Sequence, residues 1–432
     1  MKKFNKYINS NVLFNVANLN SFTVTIKIIA GLFTSKFIAI FIGAEGLALI
    51  GNISNFLRAI QSFSALGFYK GLVKYIAEFR ENNKELEKVL STSFYIGFLS
   101  TIISALGCYY FAGYINTFLF GTSDYTNVIE ILAIVLPFYG LNAFCFGIMN
   151  GYAKYKFLLI INIIGQIAGL LITLLLIWQN RLDGALVAIV ITPGLIFLIT
   201  LVGILFRTSL MPFIKITSVS SRMLSKLSPY SIMAIATTVA LPLVMIFIRN
   251  YITNEIGLKE AGYWEAMNRI SEYYLMFVNS LIALYLVPKL KNIDTKKDFR
   301  KEVIGFYKSL MPYFVGVLVI MFVLRRYVVT LIFSDEFLPT EDLFLWQLLG
   351  DLIRVMAMVI AYQFLAKKMF SHFIILEIFL FVTLYFSSIY LIDVYGLEGA
   401  VMGHFFTHLL HFGIVILIFS SSLFGIISED IE

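Results

Sequence analysis

Eleven charged side chains fall inside stretches that are otherwise apolar. Lys27, Lys36, Arg58, Arg269, Lys308 and Arg354 are basic; Glu130, Glu265, Glu272, Asp351 and Glu377 are acidic. Lys308 lies near the end of its stretch, where a long stem lets the ammonium snorkel to water. Facing lipid, the other ten would cost about 3 kcal/mol each, on the order of 30 kcal/mol together, more than a marginally stable fold tolerates. They must pair with one another or face water inside the protein. Cations in a wet, low-dielectric cavity suit an anion, and the guanidinium fork of Arg suits phosphate oxygens, so a diphosphate is a fitting cargo group. The carboxylates nearby, chiefly Glu272 and Asp351 with Glu265 beside them, either bind Na⁺ or H⁺ to couple an ion gradient or balance positive charge when the cavity is empty. No catalytic residue, resident cofactor or metal is expected.

The spacing of these groups places them on helix faces. Asn20, Thr23, Lys27 and Thr34 recur at i, i+3, i+7 and i+14, as do Asn55, Arg58, Ser62 and Tyr69. Glu265, Arg269, Glu272 and Asn279 form a third stripe, and Gln347, Asp351 and Arg354 a fourth. At 1.5 Å per residue, Arg58, Glu272, Asp351 and Arg354 sit roughly 15 to 20 Å from one end of their helices, and Lys27 is near the middle of its own. The bland alternative is that Glu265/Arg269 and Asp351/Arg354 are local i,i+4 and i,i+3 couples that glue the bundle. Lys27 and Arg58 have no acidic residue within four positions.

The elements that carry them are membrane helices. Of 432 residues 59% are apolar and 14% charged, against about 25% charged in a soluble domain. Apolar blocks predict twelve helices, at 12–42, 46–77, 89–120, 127–153, 157–179, 184–206, 229–251, 261–290, 303–333, 343–366, 370–392 and 399–424. No room remains for a separate extramembrane domain. The opening Met1-Lys2-Lys3-Phe4-Asn5-Lys6 looks like a signal-peptide n-region, but no small-x-small site follows, so an uncleaved first helix is expected. With the N-terminus inside, 22 Lys and Arg fall on the cytoplasmic side and 5 (Arg181, Arg249, Lys259, Arg325 and Arg326) on the other. The positive-inside rule then puts both termini in the cytoplasm. The net charge of +7 is mostly this topology signal, and nucleic acid is not an expected partner.

Thr117-Phe118-Leu119-Phe120 answers Thr330-Leu331-Ile332-Phe333 at an offset of 213, as Ala153-Lys154 answers Ala366-Lys367, and Leu182-Asp183-Gly184-Ala185 answers Leu397-Glu398-Gly399-Ala400 at 215. The expected fold is therefore an all-α polytopic membrane protein with two six-helix lobes around a central cavity. The lobes are residues 1–206 and 229–432, with a cytoplasmic linker at 207–228. Such an architecture implies a transporter.

Other features have plainer readings. His404, His408 and His411 share a helix face at a spacing that could present imidazoles to Zn²⁺, but no fourth ligand is evident, and packing or interhelical hydrogen bonding is expected. Pro137, Pro193, Pro242 and Pro312 read as tolerated kinks, and Cys108 and Cys145 as buried thiols. No GxSxG, HExxH, P-loop or zinc set is present, and no far-side loop exceeds about fifteen residues, against a membrane glycan polymerase or ligase.

Three segments are familiar. Gly71-Leu72-Val73-Lys74-Tyr75-Ile76-Ala77; Trp264 followed by Ile270-Ser271-Glu272 and Tyr285-Leu286-Val287-Pro288; and Leu343-Phe344-Leu345-Trp346-Gln347-Leu348-Leu349-Gly350-Asp351 resemble the Wzx-type flippases. That family takes in the O-antigen translocases and the enterobacterial common antigen (lipid III) flippases, within the multidrug/oligosaccharidyl-lipid/polysaccharide exporter (MOP) superfamily. The resemblance covers essentially the whole chain. It implies an undecaprenyl-diphosphate-linked oligosaccharide as cargo, moved from the cytoplasmic to the periplasmic leaflet of a Gram-negative inner membrane, and contact with glycan polymerase or chain-length machinery. Lys27, Arg58, Arg249, Arg269 and Asp351 match charged positions of the family pattern, with Lys36 and Arg354 as further cavity cations. Glu272 stands where the pattern has Asp, keeping the charge at a longer reach. A multidrug or other polysaccharide exporter of the same superfamily is the alternative; mid-depth cations favour an anionic lipid over a cationic drug.

Overall fold

The computed structural model describes residues 2–64, 66–122, 124–205, 214–293, 295–367 and 369–424, with side chains from residue 21 on except at 70, 204, 205, 233 and 237. Lys2, Lys3 and Lys6 of the basic tail, Asn20 of the first stripe, and Arg207 of the expected linker lie outside the described side chains. A chain this apolar has little but its own backbone to satisfy its amides in a bilayer, and it answers with helices. They are α1 (Lys2–Phe41), α2 (Gly43–Ser64), α3 (Tyr69–Glu78), α4 (Asn83–Tyr110), α5 (Ala112–Phe120), α6 (Thr126–Gly151), α7 (Tyr155–Leu205), α8 (Ser221–Glu255), α9 (Leu258–Leu281), α10 (Val287–Lys291), α11 (Lys296–Val323), α12 (Arg325–Ile332), α13 (Phe344–Ala366), α14 (Phe370–Tyr395), α15 (Leu397–Ile418) and α16 (Ser420–Phe424). Among the described residues ten helical stretches are long and apolar enough to cross a membrane, by length and composition. The all-α, many-spanning architecture expected from hydropathy is what the structure shows.

Several boundaries differ from the apolar blocks, for identifiable reasons. Helix α4 starts at Asn83 rather than 89 because the Asn82 side chain accepts the Glu85 N–H at 3.2 Å. Likewise α11 starts at Lys296 rather than 303, with Thr295 Oγ1 accepting the Asp298 N–H at 3.1 Å. Polar caps carry both helices a turn or more beyond the apolar signal. The expected helix 46–77 is two helices: Leu66 and Gly67 take φ of 50° and 58°, and the chain restarts as α3. The break lets α3 lay Leu72 and Ile76 against Gly147 and Gly151 of α6, where a β-carbon on either glycine would lie 2.7 Å from those side chains. Small residues at such crossings let membrane helices approach closely. The expected helices 157–179 and 184–206 follow one another within α7, broken at Arg181 (φ 48°, ψ −118°).

The repeat is visible as geometry. Asn82 and Thr295, 213 residues apart, cap two helices of 28 residues each, and each helix is followed after a single residue by a short one, α5 or α12. Arg181 has its counterpart 215 residues on in Gly396 (φ 62°, ψ −141°). A β-carbon on Gly184 would lie 1.9 Å from the Leu176 carbonyl oxygen, and one on Gly399 2.0 Å from that of Leu391. Gly399→Ala is accordingly expected to cost about 1–3 kcal/mol, the usual range for overpacking, and to lower the melting temperature in detergent. An unchanged melting curve would show that the α14–α15 hairpin yields.

The chain groups into two compact units, Met1–Ile42 with Leu49–Ile246 and Gly43–Ala48 with Phe247–Glu432. In the first, α1 and α6 pack on α7, and α3 and α4 on α6, around buried Leu72, Ile76, Val89, Leu90 and Leu227. In the second, α15 packs along both α13 and α14, and α11 packs on α13. Pro288, which has no N–H to donate, follows a π turn at Ile282–Leu286 between α9 and α10.

Candidate functional site

The second unit buries two polar networks. Arg249, on α8, is fully buried, and its Nη2 donates to Glu265 Oε2 at 2.5 Å; Arg269 Nε donates to Glu265 Oε1 at 3.0 Å. Two guanidinium groups thus share one carboxylate, with formal charge +1. The Arg249 guanidinium also lies 5.4 Å from the Trp264 ring centroid, a cation–π contact that softens its desolvation. The Glu265/Arg269 couple weighed from the sequence exists. Arg249, which the charge count put on the far side, is fully buried six residues before the end of α8, and Arg269 is the more exposed cation at 16% of its side chain.

The other network centres on Asp351, fully buried on α13. Ser271 Oγ and, at 2.5 Å, Tyr274 OH donate to its Oδ2, Gln347 Nε2 approaches the same oxygen at 3.4 Å, and His404 Nε2 lies 3.1 Å from Oδ1. The Asp351/Arg354 couple, the bland alternative weighed from the sequence, makes no ion pair: four neutral-capable partners from α9, α13 and α15 take the carboxylate, and Arg354, half-buried one turn on, makes no ion pair within 4 Å among the described residues. A carboxylate without lipid contact needs several partners to stay in a low dielectric, and these provide them. Ser271 and Tyr274 sit one turn apart on α9, away from the face that carries Glu265, Arg269 and Glu272, so the spacing of the charged residues does not point to them. His404 makes the interhelical hydrogen bond expected of it. Glu272 is half-buried on α9 with interactions of its own.

In the first unit Lys27 on α1 and Arg58 on α2 are exposed, and Lys36 is half-buried. Of the expected α2 stripe, Asn55 is buried, Ser62 hydrogen-bonds Thr238, and Tyr69 leaves the stripe at the 65–67 break, where its hydroxyl accepts from Asn150 Nδ2 at 2.7 Å. The familiar α3 segment proves to be core and rim. Leu72, Tyr75 and Ile76 are buried, and Lys74 Nζ donates to Tyr230 OH at 2.9 Å, with Lys226 Nζ 5.8 Å from the Tyr75 ring centroid. Cys108 and Cys145 are free thiols.

Paired interior charges thus sit on a many-helix frame with an internal repeat, the architecture of an α-helical membrane protein. Among solved structures, a multidrug resistance MATE family transporter of the MOP superfamily, inward-facing, superposes with TM-score 0.77 at 13% identity, over 92% of this chain and 95% of that one. Lipid II flippase MurJ, in an inward closed conformation, superposes with TM-score 0.72 at 17% identity, over 93% and 89%. Residues 37–342 match the family described as Polysaccharide biosynthesis protein, and the chain belongs to that family. The lipid III flippase of Escherichia coli (strain K12) is 27% identical over 390 residues, 90% of this chain and 94% of that one, and the lipid III flippase of Shigella flexneri matches equally. These relatives are flippases and transporters by name, not enzymes, in agreement with the Wzx-type resemblance of the sequence.

Proposed function

We propose that this protein is a flippase for an undecaprenyl-diphosphate-linked oligosaccharide, either lipid III or an O-antigen unit, carried from the cytoplasmic to the periplasmic leaflet of a Gram-negative inner membrane. The observation that carries the reading is that exposed cations, Lys27 and Arg58, sit within helices of a membrane frame, where only an anionic partner or water offsets their cost. The match to lipid III flippases along 90% of the chain supports it. In this reading the chain crosses the membrane twelve times as two six-helix lobes: the ten apolar stretches, with α7 counted as two and α2 added. Both termini are cytoplasmic, and translocation proceeds by alternating access.

Lys27, Lys36 and Arg58 supply cations for the diphosphate from the first unit. Within the second unit taken by itself, Arg269 and Arg354 are the candidate cations, and Glu265 holds the Arg269 and Arg249 guanidinium groups. Asp351, Glu265 and Glu272 balance charge, with Asp351 as the coupling group for H⁺ or Na⁺. The glycan delivered outside is handed to polymerase or chain-length machinery. Deleting the protein in its native strain tests the cargo: a lipid-linked glycan should accumulate on the inner leaflet, lipid III for the common-antigen role and an O-unit for the other. Accumulation of neither contradicts the proposal.

A further inference from the structure

Beyond Asp351, the second unit holds a line of imidazoles that cargo binding does not use. His404, His408 and His411 share one face of α15. His404 Nε2 meets Asp351 Oδ1 at 3.1 Å; the His404 and His408 ring centroids are 4.5 Å apart, and those of His408 and His411 6.4 Å. His408 and His411 are 6% and 4% exposed, and His408 Nδ1 and both ring nitrogens of His411 have no hydrogen-bond partner among the described residues. Buried polar nitrogens left without protein partners cost stability, and leucine or phenylalanine would fill the same space without that cost. Packing therefore does not account for the choice of residue.

The surroundings suit a mobile proton. From α13 Asp351, Arg354 and Tyr362 lie in the same electrostatic neighbourhood, from α14 Glu377, and from α9 Tyr274; Arg354 acts on both His408 and His411. Neutral imidazole has one donor and one acceptor nitrogen, so each ring can take a proton on one nitrogen and release one from the other. Three rings spaced over seven residues cover roughly 10 Å along the helix axis.

We propose that Asp351, His404, His408 and His411 form a proton-transfer path through the second unit, and that H⁺ is the ion which drives translocation. The proposal rests on the flippase reading for what the proton is coupled to. A proton taken up by the Asp351 carboxylate passes to His404, and each ring in turn receives one and gives one up, with bridging water where rings do not touch. At His411 the proton passes to a water molecule, which carries it off as hydronium, and every group regains its starting charge.

Full-length protein in phospholipid vesicles that enclose a pH-sensitive dye tests this, with a short-chain polyprenyl diphosphate disaccharide as the added probe and the membrane potential clamped. A pH step should drive probe accumulation together with proton flux. His408→Gln and His411→Gln, which keep polarity but cannot relay a proton, should cut both by about 10²-fold, at the low end of what a positioned proton carrier contributes. Equilibration of the probe without a gradient should stay near the wild-type rate. Full proton flux in both variants, or accumulation driven by a Na⁺ step without proton movement, overturns the path. His408→Leu and His411→Leu serve if the glutamine forms do not fold.

Should the wild type move no probe, the flippase reading fails, and imidazole ¹⁵N spectra of the purified protein decide the path separately. The chain has 4 histidines, and His372 is the internal control. Asp351→Asn should shift the signals of His404, His408 and His411 together. A shift confined to His404 means a local hydrogen bond and no path.

Discussion

Lys27→Ala and Arg58→Ala should each weaken binding of a polyprenyl diphosphate by about 10- to 100-fold, because a hydrogen bond to a charged group contributes about 1.5–3 kcal/mol. Both side chains are exposed, so neither carries the core, and the melting temperature should hardly move. The loss should grow in the double variant and shrink when a monophosphate replaces the diphosphate, since fewer oxygens then need neutralising. Lys27→Arg should retain much of the affinity, whereas Arg58→Lys should lose more, because a fork that grips two oxygens is not reproduced by a point charge. Equilibrium binding of a short-chain glycolipid to the purified protein reads all of these. Wild-type affinity in both alanine variants would remove these cations from the cargo site.

Arg249→Met should have the largest effect on stability, about 3–5 kcal/mol, the cost of breaking a buried ion pair from one side. Arg249 is fully buried and Glu265 is 8% exposed, so the carboxylate would keep Arg269 as its ion-pair partner and lose the shorter of its two ionic contacts. The pair Arg249→Met with Glu265→Gln should lose more than the single variant, since it leaves the Arg269 guanidinium with an amide acceptor in place of its carboxylate. Thermal unfolding in detergent measures both. A single variant that melts with the wild type would show that the triad is not a structural element, and a double variant as stable as the single would show that the Glu265–Arg269 pair contributes nothing to it.

Much of this was legible in the sequence, for reasons that differ by residue. Hydropathy gives the membrane helices because lipid imposes one simple demand on each stretch. The i,i+4 spacing gave the Glu265/Arg269 couple, which one helix holds by itself. The repeat at 213 to 215 residues was readable because it preserves backbone devices, the caps at Asn82 and Thr295 and the tight glycines at 184 and 399. The break at Leu66–Gly67 was not, since a glycine in an apolar run is ordinary in membrane helices and the reason for it is a crossing with α6 far along the chain. Nor were the partners of Asp351: Ser271, Tyr274 and His404 lie 53 to 80 residues away, and a single helix's spacing cannot show which neighbours it will meet. Local reasoning offered Arg354 because it was nearest in sequence, and the fold supplied uncharged donors and an imidazole instead.

Purified protein in vesicles, given a fluorescent undecaprenyl-diphosphate-linked oligosaccharide in one leaflet, addresses the central claim most directly. The label should become inaccessible to a membrane-impermeant quencher at a rate proportional to the amount of protein, and Lys27→Ala with Arg58→Ala should return that rate to the level of protein-free vesicles. A wild-type rate no faster than protein-free vesicles, or equal movement of a glycolipid lacking phosphate, would contradict it.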